Sequence, residues 1–146
     1  MRSTVWLHWL TSAFVAISGL IGQVTGLAPP AVNSAAACGP VVQSHCDDGG
    51  WVILLERMDQ AAMTASVELA AGKARSAALF KKPTQALEEA INHGRYAAIT
   101  PGGFIEMQGG LPIVVDGEVI GGIGASFATP EEDEQIAKAR LAALTK

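Results

Sequence analysis

The sequence predicts an α+β domain, a mostly antiparallel sheet of about five strands with helices packed on one face of it. Three observations predict this. Asp116-Gly117 stands between the β-branched runs Ile113-Val114-Val115 and Glu118-Val119-Ile120, and Asp-Gly is a preferred pair for a two-residue type I′ turn. Thr64 to Phe80 carries small and apolar residues at helical spacing. Thr129 and Glu132 form a capping box with Pro130 at the first helical position, ahead of a closing helix.

The hairpin has few polar side chains on either arm, which predicts a place inside the sheet rather than at its edge. Gly121, Gly122 and Gly124 weaken the second arm unless something approaches its backbone closely. A packed helix is the plain explanation; a second subunit or a ligand is the alternative.

The 146 residues suit one domain. The formal charge of -4 is unevenly spread: Arg2 is the only charged side chain before Asp47. An acidic domain without a basic stripe argues against nucleic acid or an anionic membrane surface as partner. Residues 1–36 read as a signal peptide or amino-terminal anchor plus linker, and 37–146 as the domain. Arg2 gives a thin positive start, Val5 to Leu27 is apolar, and small residues follow. An uncleaved anchor and a lipid attachment at Cys38 are the alternatives. Each places the domain outside the cytoplasm, periplasmic or secreted, and membrane contact is expected only through this segment if it is retained.

Val41 to Cys46 is a first strand of odd, polar composition. Cys38 and Cys46 could pair only if a turn near Gly39-Pro40 folds the segment back. His45 and Cys46 are adjacent in a strand and point to opposite faces, so they do not make a metal pair. Asp47-Asp48-Gly49-Gly50 is a turn, and Trp51 to Leu55 a second strand. The Thr64–Phe80 helix is thin, with Val67, Ala71, Ala74 and Ala78 on one face. Its cations Lys73 and Arg75 are expected to be solvated or paired with Glu68. Lys81-Lys82-Pro83 stops it, Thr84 caps a shorter helix, and Asn92-His93-Gly94 ends that one.

His93 is the best imidazole candidate for a metal, although a histidine at a helix end is also explained by the dipole and a carbonyl contact. Arg95 follows it. Tyr96 to Thr100 reads as a short strand. The Pro101-Gly102-Gly103 loop, with Phe104 and Met107 as a wall, is where a flat hydrophobic cofactor would sit; the plain alternative tucks Phe104 into the core. Thr100 is a conceivable oxygen ligand to iron. In the last helix, Ile136, Ala137, Ala139, Leu141, Ala143 and Leu144 form the expected buried stripe, and the acidic run Glu131 to Glu134 is explained by the positive helix end. No nucleophile–base or paired-carboxylate arrangement stands out.

Four ordered stretches carry a resemblance. They are Asp47-Asp48-Gly49-Gly50-Trp51 with Leu55-Glu56-Arg57-Met58-Asp59; Gly72-Lys73-Ala74-Arg75-Ser76-Ala77-Ala78-Leu79-Phe80 with Lys82-Pro83-Thr84; Pro101-Gly102-Gly103; and Gly109 to Gly124 with Ala128 to Glu134. Together they resemble the GlcG/HbpS-type family of small haem- or cofactor-binding proteins, related to the C-terminal domain of some cobalamin adenosyltransferases. The resemblance covers residues 40–146. It implies a profilin-like arrangement, homo-oligomers, and haem or a related tetrapyrrole as ligand, with Lys73 and Arg75 available to its propionates. An accessory factor or enzyme acting on a small glycolate-type metabolite, or a purely structural oligomer, are the alternatives. The family also opens with a helix of several turns, for which Ala31 to Gly39 leaves too little chain.

Overall fold

The computed structural model describes residues 40–61 and 63–144. The readings made on residues 1–39, among them the signal or anchor segment, the linker and Cys38, lie outside the described residues. The elements in chain order are β1 (Val42–Asp47), β2 (Val52–Arg57), α1 (Ser66–Phe80), α2 (Thr84–Asn92), a 3₁₀ helix (Tyr96–Ile99), β3 (Gly110–Val115), β4 (Glu118–Ser126) and α3 (Pro130–Leu144). Among the described residues one sheet has four strands rather than about five, in the order β2-β1-β4-β3, and every neighbouring pair is antiparallel. No described helix is long and apolar enough to cross a membrane.

The Asp116-Gly117 turn forms as expected, with φ of 52° and 83°, the left-handed values a type I′ turn requires. Val115 lies opposite Glu118 and Val114 opposite Val119, and a bulge follows between Ile113 and Val114. Only the second arm is internal, however. β3 is an edge strand, and Val114 and Val115 are nearly half exposed. Apolar composition reads as burial on both sides, but these side chains border an open surface.

The polar-looking β1 is central, between β2 and β4. Its alternation divides it. Val42 and Cys46 face α1, packing with Ala70 and with Ala74 and Ala78 respectively. Val41, just before it, faces the other way, with Leu111, Ile123, Ala125 and α3 residues Ile136 and Ala137. Burial pushes the Cys46 thiol up from its ordinary value, so it stays protonated.

The glycines of β4 have the plain explanation. A Cβ built on Gly122 would lie 2.2 Å from the Ala74 carbonyl oxygen, and one on Gly124 the same distance from that of Ala70. The thin helix α1 therefore rests its backbone on the sheet, burying Ala70, Ala74, Ala77 and Ala78. Ile123 and Ala125, the alternate residues of β4, pack on α3. Because successive strand residues serve opposite faces, the helices lie on both faces of the sheet, not on one.

Lys73 is the largest departure from expectation. It is neither solvated nor paired with Glu68. It is 1% exposed, its Nζ donates to Asp133 Oδ2 at 2.6 Å and to the Ala125 carbonyl at 3.3 Å, and Asp133 Oδ1 accepts from Phe127 N. The acidic run of α3 thus does more than suit the helix dipole: Asp133 reaches back to α1. The capping box itself forms, Glu132 N donating to Thr129 Oγ1 at 3.3 Å and Thr129 N to Glu132 Oε2 at 3.2 Å. Of the expected stripe of α3, Ile136 and Ala137 are buried while Leu144 is half exposed; Asp133 and Arg140 are buried in its place.

Two further local readings change. Tyr96–Ile99 is a 3₁₀ helix, not a strand, held by Ala98 N to Arg95 O and Thr100 N to Ala97 O, the i to i+3 pattern of a tight connector. Thr84 is not a cap. Its hydroxyl is buried and bonds Gly110, accepting from the backbone N at 2.8 Å and donating to the carbonyl at 3.4 Å. This ties the start of α2 to the edge strand β3.

Candidate functional site

A cavity of about 370 Å³ opens where α1 ends. Phe80 and Lys82 bound one side, Leu87 and Ala90 of α2 another, Arg95, Ala97 and Ala98 a third, and Pro101 and Glu106 the rim. It forms because Lys81, with φ of 54°, turns the chain sharply at the end of α1. Gly94, with φ of 98°, then turns it again after α2 and sends Arg95 back across the gap.

The loop after the 3₁₀ helix is stitched in place. Ile105 N donates to Ser76 Oγ at 2.8 Å, Gln108 N to Glu88 Oε2 at 2.6 Å, and the Gln108 amide to Glu134. Lys138 and Gln108 bonds hold the Glu134 carboxyl below its ordinary value, with the Lys138 bond the larger cause. Gly72 makes room for the loop, since a Cβ there would lie 2.2 Å from Ile105 Cγ1. The walls are mainly apolar, with the cationic side chains of Arg95 and Lys82 at the edge. Glu106 Oε1 is buried without a hydrogen-bond partner among the described residues.

Phe104 is not in the cavity wall but touches it. Its ring lies 4.9 Å from that of Phe80, tilted by 60°. Arg75 stacks on its far side, 5.8 Å from the Phe104 centroid and 5.7 Å from Trp51, while its Nη1 donates to the Gly50 carbonyl. An aromatic and cationic row therefore runs from the cavity edge to the exposed indole of Trp51.

His93 is exposed, and its Nδ1 lies 2.6 Å from the Glu89 carbonyl oxygen. A carbonyl only accepts, so Nδ1–H donates here and Nε2 is the ring nitrogen left for another partner. That tautomer is the one a metal-bound imidazole commonly has. The carbonyl contact expected of a helix-end histidine and a free ligating nitrogen thus coexist. Thr100, Gly102, Gly103 and Met107 are exposed and lie outside the cavity wall, in the turn beside it, and His93 too is exposed and outside that wall. Lys73 is committed to Asp133. Sequence patterning locates Arg95 and the proline loop but misses Phe80, Lys82 and Glu106. Glu106 carried a signal, a lone carboxylate between Ile105 and Met107 in an apolar stretch. Among the described residues no group of three His, Cys, Asp or Glu could hold a metal ion.

Fold and cavity together define a small α+β domain with one antiparallel sheet between helices and a concave site at the end of its thin helix. The chain belongs to the HbpS-like family: the family model described as "Haem degrading protein HbpS-like" matches residues 24–142. It is 44% identical over 80 residues to the protein GlcG of Escherichia coli K12, a match covering 55% of this chain and 59% of GlcG, so it spans about three fifths of that relative. Among solved structures it resembles a PduOC–haem complex (31% identity, TM-score 0.70, 84% of this chain and 91% of that one). It also resembles a double mutant of HbpS from Streptomyces reticuli (30% identity, TM-score 0.69, 82% of each chain).

Proposed function

We propose that the chain is an exported binding protein for haem or a related tetrapyrrole, held in an oligomer, with the ligand at the Phe80–Glu106 cavity. The observation that carries the reading is the His93–Arg95 segment. Arg95, with Lys82, edges a mainly apolar cavity, and the exposed imidazole of His93 stands two residues before Arg95 in the chain. A tetrapyrrole supplies most of its iron's donors itself, so one side-chain ligand is enough, and its propionates need cations. The cavity fits part of those needs directly: Arg95 and Lys82 would hold the propionates and Phe80, with Phe104 packed behind it, the ring, while His93, outside the cavity wall, is the imidazole offered to the iron. The likeness to a PduOC–haem complex supports the same ligand class. Support for an oligomer comes from exposed apolar side chains, Tyr96 and Ile99 beside the cavity and Trp51 ahead of the edge strand β2. Export rests on the apolar, charge-poor residues 1–36.

A haemin titration of the full chain, followed by absorption spectroscopy, tests the binding. One haem per chain is expected, with a saturable Soret shift. His93→Ala should change the band position, and Arg95→Ala should weaken binding about tenfold by removing a charge-assisted bond. A weak, unsaturable shift identical in all three proteins would overturn the reading. Size-exclusion mass and cell fractionation test the oligomer and the export separately.

A further inference from the structure

A second concave surface lies on the α3 face of the sheet, where the helix does not cover the strand ends. Its volume is about 460 Å³, and among the described residues it shares no lining residue with the cavity described above. Its walls are apolar: Ile53, Ile113, Val115, Ile120 and Leu144. Several are half exposed or more, Ile53 71%, Ile120 51% and Leu144 53%. Two polar groups interrupt them, His45 and Arg140.

His45 is 9% exposed, and its Nδ1 is buried with no hydrogen-bond partner among the described residues. Burial chiefly, and then the charge of Arg140, hold its imidazole below the ordinary value, so the ring is neutral near pH 7. Arg140 uses one Nη on Glu56, and a guanidinium has further N–H donors to give. An apolar trough with a neutral imidazole and a partly used guanidinium on its floor has the composition of a small-ligand pocket, and its volume falls within that range.

We propose that this groove is a second binding site, for a small amphipathic carboxylate. The apolar body lies along Ile113, Val115 and Ile120, and the head group accepts from Arg140 and from the Nδ1–H of His45. A carboxylate matches the planar donor set of arginine and completes the unpaired imidazole.

Octanoate titrated into the full chain by calorimetry is the test, with octanol as its counterpart lacking the charge. One octanoate per chain should bind saturably, and octanol about tenfold more weakly. His45→Phe should weaken octanoate by a similar factor. Ile120→Glu, at a half-exposed position that tolerates the change, should abolish binding while the thermal midpoint holds. Ala98→Trp, which fills the other cavity, should leave octanoate binding unchanged. Equal binding of octanol and octanoate overturns the head-group assignment. Loss in Ala98→Trp with none in Ile120→Glu moves the ligand to the other cavity and overturns the site. Absence of saturable binding, together with a dimer mass that Ile120→Glu dissolves, gives the groove to a second copy and overturns the proposal.

Discussion

The two faces of the sheet are built on opposite rules. On the α1 face small residues let the helix backbone come down onto the sheet, with Val42 and Cys46 packed among its alanines. Gly122 and Gly124 meet the carbonyls of Ala74 and Ala70, and Gly110 meets that of Lys73. On the α3 face, Leu111, Ile123 and Ala125 pack on Ile136 and Ala137 at one end, and the rest opens into a groove. The first face leaves no room for a Cβ at these glycines. The second leaves a groove beside the buried His45, whose Nδ1 lacks a hydrogen-bond partner among the described residues. Close backbone approach therefore fixes the framework, and the looser face and the turns beyond α1 are left to bind.

Breaking the tie between the two helices should have the largest effect. Lys73 of α1 and Asp133 of α3 are joined at 2.6 Å and almost fully buried. Lys73→Met leaves Asp133 as an uncompensated buried charge, and a loss of about 3–5 kcal/mol is expected in chemical denaturation. Lys73→Met with Asp133→Asn should recover part of it, because the amide oxygen can still accept from Phe127 N. A double variant no better than the single would mean that the ion pair is not the source of the loss.

Gly124→Ala tests the tight face directly. The new Cβ would sit 2.2 Å from a main-chain oxygen that cannot swing away. A cost of about 1–3 kcal/mol is expected from overpacking. Ile120→Thr on the open face should stay within about 0.5 kcal/mol, as exposed substitutions usually do. Equal costs at the two positions would remove the contrast between the faces.

The same division decides what the sequence made legible. Chemistry within a few residues was readable: the positive φ of Asp116 and Gly117, the Thr129–Glu132 box, and the left-handed Gly94 after α2. The glycines of β4 announced a close approach, and a helix is what approaches. Pairings distant in the chain left no local mark. Lys73 and Asp133 are 60 residues apart, and Thr84 with its cap-like position spends its hydroxyl on Gly110. β1 looked too polar for a central strand because Gln43, Ser44 and His45 hide their polarity by burial rather than by composition. At the cavity, Arg95 and Pro101 were visible as neighbours of a glycine-rich loop. Phe80 and Lys82 joined them only through the left-handed turn at Lys81, which sequence patterning does not encode.

Thr129→Ala is expected to cost about 1 kcal/mol by removing the cap of α3, with denaturant midpoints as the measure. A further effect belongs to the open face, in the pH dependence of stability. His45 is held below its ordinary value of 6.5 when folded, mainly by desolvation. Well above pH 6.5 the ring is neutral in both states and contributes no slope. As pH falls below 6.5 the unfolded chain takes up the proton first, so stability declines with falling pH until the folded imidazole is protonated too. The slope from one such group cannot exceed about 1.4 kcal/mol per pH unit. His45→Phe should flatten that part of the profile, measured as the denaturation midpoint between about pH 7 and about pH 5. A profile unchanged by the substitution would mean that the His45 ring meets solvent, and that the α3 face is more open at its floor than its burial indicates.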